Sequence, residues 1–102
     1  MIMGIEDYIP EGRENAISRK SLGEIVGDDR IARKMIEDAR CTVVIINLQD
    51  GKGYYLPTSN EREDVVRWYL ATLKRAKKIL RGLRAARRWL EEHPDEQIKW
   101  EV

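Results

Sequence analysis

The spacing of hydrophobic residues changes twice along this chain of 102 residues. Residues 17 to 39 carry apolar side chains at helical intervals, and residues 42 to 56 are rich in β-branched and aromatic side chains. Helical spacing then returns from residue 61 to about residue 92. The pattern predicts a mainly helical α+β fold with two short helices, a hairpin and one long helix near the end.

Local signals mark the ends of the two short helices. Ser18 can cap the first helix, and Gly27 can end it because glycine adopts a left-handed conformation without a Cβ clash. Asp28 or Asp29 begins the second helix, where a carboxylate favours the positive end of the helix dipole. We expect the inward-facing residues of the two helices to be Ile17, Leu22, Ile25, Val26, Ile31, Ala32, Met35, Ile36 and Ala39.

The middle segment is typical of a β-hairpin. The run from Thr42 to Ile46 favours a strand, and Asp50-Gly51-Lys52-Gly53 favours a tight turn. Residues 54 to 56 then form the returning strand, which Pro57 ends. Residues 1 to 16 show only weak periodicity, so residues 1 to 57 are predicted to form one domain with an extended lead-in.

The long helix is predicted to occupy residues 58 to 93. Thr58 and Glu61 fit a capping box, Gly82 is the one weak point, and His93-Pro94 ends the element. Residues 94 to 102 form a tail with alternating apolar residues. A heptad pattern along the helix predicts a seam for pairing with a second copy of the chain. Its members are Val66, Tyr69, Leu73, Ala76, Leu80, Leu83 and Leu90, with Arg87 as the exception.

The order of elements resembles a known family. From Asn15 through Pro57 the chain resembles small winged helix-turn-helix DNA-binding proteins of bacteria and their prophages. The resemblance covers residues 15 to 57 and implies contact with double-stranded DNA through the second helix and the hairpin tip. It implies that Arg30, Arg33 and Lys34 read or flank bases, and that Ser18, Arg19, Lys20 and Lys52 hold phosphates.

Charge is distributed very unevenly along the chain. Residues 65 to 90 contain nine Lys and Arg residues and no acidic residue, whereas the whole chain has a net charge of only +1. The remainder of the chain therefore carries a formal charge of −8. A one-sided basic block indicates a polyanionic partner. Together with the family resemblance, this charge block leads us to expect a sequence-specific DNA-binding protein that pairs through its long helix. The resemblance implies a transcriptional regulator or replication accessory of phage type.

Other interpretations remain open. The basic residues of the second helix could form a solvated face paired with Glu37 and Asp38. The winged domain could be a protein-interaction module without a DNA target, with the long helix as its docking surface. That helix could also pack back on its own domain or lie on a membrane surface.

The sequence offers little material for catalysis. It contains one cysteine, Cys41, and one histidine, His93, which are too few for a disulfide or for a zinc site made of these residue types. Cys41 is expected to be buried, and His93 is expected to be a helix cap or a solvated residue. We therefore expect a cytoplasmic protein that is not an enzyme, with no metal, cofactor, small-molecule substrate or membrane partner.

Overall fold

The computed structural model describes residues 4 to 94, and these residues are mainly helical. The α-helices are α1 (Arg19–Val26), α2 (Asp29–Ala39), α3 (Arg62–Gly82) and α4 (Arg84–Glu92). Two short 3-10 helices, Ile5–Tyr8 and Arg13–Asn15, precede them. The chain forms two compact units, one ending at Leu70 and the other beginning at Ala71. The predicted tail beyond Pro94 lies outside the described residues.

The ends of α1 and α2 form as the sequence predicts. The Ser18 hydroxyl accepts a hydrogen bond from the Ser21 amide at 3.1 Å, and the Asp28 carboxylate accepts one from the Ile31 amide at 2.8 Å. Gly27 has a φ of 132°, a value that side-chain-bearing residues rarely adopt. Two capped helices are therefore joined by a turn of only two residues, which fixes the path of the chain between them.

Gly23 determines how closely α1 approaches the start of α2. A Cβ atom at this position would lie 3.0 Å from the Asp29 nitrogen and 3.2 Å from the Asp28 carbonyl carbon. A larger residue would push the turn away from α1. The absence of a side chain therefore allows the first turn of α2 to lie against α1, which places Asp29 within reach of residues on α1.

The core of the first unit draws on more of the chain than the sequence indicated. Ile5 and Ile9, from the segment with weak periodicity, are almost fully buried. The 3-10 helix Ile5–Tyr8 explains this, because such a helix has about three residues per turn and gives no pattern of period 3.6. Leu22, Ala32, Ile36, Ile45 and Tyr54 complete the cluster.

Two residues expected to face inward do not do so. Ile25 is 53% exposed and Ile31 is 45% exposed, so the prediction for these positions was wrong. The buried positions of the two helices are Leu22, Ala32 and Ile36, with Gly23 at the closest approach. The helix pair therefore buries a narrower stripe than its apolar pattern suggested.

The predicted hairpin does not form paired strands within residues 4 to 94. Pairing is limited to isolated bridges, with Ile46 opposite Tyr55 and Ile17 opposite Tyr54. A third bridge joins Glu11 to Leu56. Turn residues follow α2 directly, where the sequence predicted a strand from Thr42. Ile46 is the first residue after α2 that forms a bridge, and a long loop follows it. The β part of the predicted fold is therefore reduced to single residue pairs around that loop.

The predicted long helix is interrupted. α3 ends at Gly82 and α4 begins at Arg84, so the expectation of one continuous element from residue 58 to residue 93 was wrong. The Leu83 amide donates to the Leu80 carbonyl at 3.1 Å. This bond spans three residues instead of the four of an α-helix, so it closes a tighter, 3-10 type of turn. The interruption coincides with Gly82, the residue with the lowest helix propensity in the segment.

Candidate nucleic-acid interface

The basic residues of α2 lie on one side of the helix. At 100° per residue, Arg30, Arg33 and Lys34 fall within a sector of about 100°, opposite the buried residues Ala32 and Ile36. All three basic residues are exposed. Glu37 is exposed within the same sector, so the polar face of α2 carries both positive and negative charges.

One carboxylate binds arginines from both helices. The Asp29 Oδ2 atom accepts from Arg33 Nε at 3.1 Å and lies 3.1 Å from Arg33 Nη2. Arg19 Nε, from the first residue of α1, lies 3.0 Å from Asp29 Oδ1. Both arginine side chains remain about 60% exposed. The fold thus gathers two predicted DNA-binding residues around Asp29.

The other ion pair on α2 is simpler. Lys34 Nζ lies 3.4 Å from Asp38 Oδ1, and both side chains are about 70% exposed. The alternative pairing of Arg33 with Glu37 does not form within the described residues, because Arg33 is bound by Asp29 one turn earlier. An exposed pair such as Lys34–Asp38 contributes about 0.2 to 1 kcal/mol at most, so Lys34 can readily exchange its partner.

The remaining predicted contact residues are more dispersed. The Ser18 hydroxyl caps α1 and donates to the Ser21 hydroxyl at 2.9 Å. Lys20 and Arg30 are exposed and form no ion pair within residues 4 to 94. Lys52 is exposed in the loop, where its amide donates to the Asp50 carboxylate at 3.1 Å.

Arg13, which the sequence analysis missed, ties that loop to the body of the first unit. Its Nη2 atom donates to Asp50 Oδ2 at 2.7 Å, and its Nη1 atom lies 3.9 Å from Asp64 Oδ1. The hydrogen bond from Arg13, together with that from the Lys52 amide, holds the pKa of Asp50 below its usual range. Thirty-seven residues separate Arg13 from Asp50, so no local pattern could indicate the pair.

The start of α3 is fixed by the same region of the chain. The Glu61 carboxylate accepts from the Thr58 amide and from the Arg13 amide, both at 2.9 Å. These two bonds lower the pKa of Glu61. The bond from the Thr58 amide to the Glu61 carboxylate is one of the two bonds of the predicted capping box. The Glu61 amide donates to the Thr58 carbonyl instead of its hydroxyl, and α3 begins at Arg62, so Thr58 is not the N-cap of this helix. Tyr55 donates to Asp64 Oδ2 at 2.8 Å, and burial is the main cause that raises its pKa.

A groove with an apolar floor lies elsewhere on the first unit. It has a volume of about 290 Å³ and is lined by residues 40 to 45 and by Val65, Trp68 and Tyr69. The guanidinium carbon of Arg40 lies 4.9 Å from the centre of the Trp68 ring, while Arg40 Nε donates to the Ile45 carbonyl at 3.1 Å. Cys41 is exposed at the edge of this groove, so the expectation that it is buried was wrong.

The nine basic residues between residues 65 and 90 are all exposed. Among the predicted seam residues, Leu80 is 64% exposed, Leu83 is 55% exposed and Leu73 is 36% exposed. The exception in the heptad pattern, Arg87, is paired with Glu91 at 3.3 Å. Large apolar side chains and a high positive charge are therefore both presented to solvent by the same two helices.

His93 forms the C-cap of α4, as expected. Its amide donates to the Trp89 carbonyl at 3.0 Å, and its ring stacks on the Trp89 ring with 4.1 Å between centroids. Within residues 4 to 94, no group of three or more His, Cys, Asp and Glu residues is arranged to hold a metal ion. No helix in this part of the chain is both long and apolar enough to cross a membrane.

Comparisons with known proteins give no further assignment: no protein-family model, curated protein or solved structure matches this chain.

Proposed function

We propose that this protein binds double-stranded DNA sequence-specifically through a winged helix-turn-helix, with α2 as the recognition helix. The observation that carries the proposal is the α1–α2 pair. Its turn has two residues, and the face of α2 opposite the core presents Arg30, Arg33 and Lys34. An α-helix has the diameter that the major groove accepts, and exposed basic side chains on it can reach base edges and phosphates.

The loop after Ile46 is assigned the role of a wing. It begins and ends at the bridge between Ile46 and Tyr55, and it carries Lys52 in an exposed position. The ion pair between Arg13 and Asp50 restrains it. A restrained loop with an exposed lysine is suited to hold a phosphate beside the groove that α2 enters.

The basic segment supplies affinity without sequence preference. Nine exposed Lys and Arg residues on α3 and α4 attract phosphates, and each phosphate neutralised adds about 0.9 to the slope of log affinity against log salt for B-DNA. In this proposal the protein acts as a homodimer through its long helical segment, in transcription control or replication of phage type.

A second function, in another class, is supported by the groove beside Trp68. Its floor is apolar, and Val44 and Tyr69 are 47% and 58% exposed beside it. Such a surface suits a protein-interaction module in which the long helical segment also docks a partner. Under this alternative the chain has no DNA target.

Fluorescence anisotropy on a short duplex of mixed sequence, measured from about 50 to 200 mM salt, separates the two functions. DNA binding predicts an affinity that falls steeply with salt. An apolar docking module predicts no binding at low salt. Protein mass is followed in the same buffers, because apolar helix pairing is insensitive to salt.

Two double variants then test the assignment of α2. R33A/K34A removes two charges from α2, and R75A/K78A removes two charges from α3. We expect R33A/K34A to abolish preference for a sequence selected from a random pool, since groove contacts specify sequence. R75A/K78A should weaken binding to all DNA sequences equally. Unchanged sequence preference in R33A/K34A would remove α2 from the recognition role.

A further inference from the structure

The two arginines bound to Asp29 belong to different helices. Arg19 is the first residue of α1, and Arg33 lies in the second turn of α2. The Lys34–Asp38 and Arg87–Glu91 pairs each join two residues of one helix. At Asp29 three arginine nitrogens, Arg19 Nε with Nε and Nη2 of Arg33, lie 3.0 to 3.1 Å from the carboxylate oxygens.

The carboxylate is not fully satisfied in this position. Asp29 Oδ1 is buried but accepts no hydrogen bond within the described residues, although Arg19 Nε is close enough for an ion pair. A planar carboxylate offers acceptor directions in one plane, whereas a phosphate offers oxygens in a tetrahedral arrangement. Arginine binds both anions, with its donors in a fixed fork. Two guanidinium groups approaching from different helices therefore suit a phosphate at least as well as Asp29.

We propose that Arg19 and Arg33 together form a clamp for one DNA phosphate, and that Asp29 occupies this clamp in the free protein. The inference rests on the proposed DNA-binding function. It changes the role of Arg33, which the family resemblance assigned to base contacts. It also gives Asp29 a role in setting the affinity for DNA, because Asp29 competes with the phosphate for the two arginines.

Competition within the clamp has a consequence for specificity. A phosphate can bind Arg19 and Arg33 only if Asp29 releases them. Contact with the DNA backbone alone therefore contributes little to the free energy of binding. Contacts made by Arg30 and Lys34 in the groove must supply the remaining stabilisation. Asp29 therefore weakens binding to all DNA and leaves a larger part of the affinity to sequence-dependent contacts.

The test compares two variants that remove one negative charge from α2. D29N removes the negative charge that holds both arginines while keeping the size of the side chain. E37Q removes a charge at an exposed position that forms no ion pair within residues 4 to 94. For a short duplex of mixed sequence, we expect D29N to steepen the salt slope by about 0.9, which corresponds to one more phosphate neutralised. Its affinity at about 50 mM salt should rise on the order of tenfold, whereas E37Q should leave the slope unchanged.

The same substitution in a second background shows whether Asp29 acts through the arginines. D29N is introduced into the R19A/R33A protein, where no clamp remains. The proposal requires the gain in affinity to disappear there. A gain that persists in this background, or an equal gain in E37Q, would show that Asp29 acts by general repulsion and would overturn the clamp.

Failure of the clamp and failure of the proposed function give different results. Wild-type protein that binds DNA with the same salt slope as D29N overturns the clamp alone. Absence of binding by wild type and D29N, both folded by circular dichroism, overturns both. D29A serves as a second variant if D29N is unstable, because the Asp28 cap of α2 is retained in either protein.

Discussion

The backbone of Gly53 runs against the carbonyl of Ile17, in a place where no side chain can be accommodated. A Cβ atom on Gly53 would overlap the Ile17 carbonyl oxygen, and φ at this residue is 102°. The same contact carries two backbone hydrogen bonds between Ile17 and Tyr54, at 2.9 and 2.8 Å. This one glycine therefore joins the loop to the segment that leads into α1.

Gly53→Ala should destabilise the first unit far more than Gly51→Ala. Gly51 also has a positive φ, 85°, but an added Cβ would have no neighbour within 4 Å. Gly51→Ala thus measures backbone strain alone, about 1 to 2 kcal/mol. Gly53→Ala should cost about 2 kcal/mol more, since two hydrogen bonds of about 1 kcal/mol each are disturbed. Urea unfolding followed by circular dichroism provides the comparison, and equal losses would contradict the close packing.

Tyr55→Phe should cost about 1.5 to 3 kcal/mol of unfolding free energy, because its hydroxyl donates to the charged Asp64. Tyr69→Phe, at a 58% exposed position, is the control and should change stability by less than about 0.5 kcal/mol.

The raised pKa of Tyr55 means that the folded state resists ionisation of its hydroxyl. Its contribution is complete below about pH 10 and is lost as the pH rises above that value. Tyr55→Phe should therefore flatten the alkaline loss of stability, and an unchanged alkaline limb would exclude Tyr55 as its source.

At the scale of elements, the sequence predicts what local chemistry determines. The cap at Ser18, the stop at Gly27 and the cap at Asp28 each depend on residues within one turn, and all three form as expected. The loop did not follow its local signals. Its shape depends on Arg13, which reaches Asp50 from 37 residues away. Long-range ion pairs of this kind leave no periodic trace in a sequence.

The candidate site also combines features set by nearby residues, which the sequence predicts, with features set by distant contacts, which it does not. The exposure of Arg30, Arg33 and Lys34 could be predicted from helical spacing, because α2 has one buried stripe. The meeting of Arg19 with Asp29 could not, because it depends on the close approach at Gly23. The bond between Asp29 and Arg33, in contrast, has i,i+4 spacing and could have been found from the sequence.

The interruption between α3 and α4 yields a prediction at this scale. An added Cβ at Gly82 meets nothing within 4 Å, so alanine fits there without a clash. Gly82→Ala should increase helix content and stabilise the helical segment by up to about 1 kcal/mol. Ala85→Gly, an exposed position in α4, should have the opposite sign. Ellipticity at the helical minimum, followed through thermal unfolding, measures both. A loss of helix in Gly82→Ala would mean that the interruption depends on other residues.

At the scale of the whole molecule, the proposed dimer would bury the exposed apolar residues of α3 and α4 and leave their basic residues exposed to solvent. In the heptad frame, the positions that flank the seam on one side are Val65, Thr72, Ile79 and Ala86, all uncharged. The other flank carries Leu70, Lys77, Arg84 and Glu91, so its two central positions are basic. Two parallel helices would place each charged flank against an uncharged one, whereas antiparallel helices would place basic residues against each other. The charge distribution therefore favours a parallel pair.

Leu73→Glu with Leu80→Glu should convert the dimer into a monomer, because both substitutions bury a carboxylate in the seam. The matched control, Ala71→Glu with Ala85→Glu, adds the same two charges at positions that lie opposite the seam in the heptad frame, one in α3 and one in α4, and should remain dimeric. Light scattering gives the mass of each variant, and circular dichroism shows that both remain helical. Loss of the dimer in both proteins would assign the effect to net charge, while a dimer that survives the leucine substitutions would exclude the seam. If the leucine variant is a monomer that still binds mixed-sequence DNA with reduced affinity, pairing contributes by joining two binding units rather than by forming the DNA-binding surface itself.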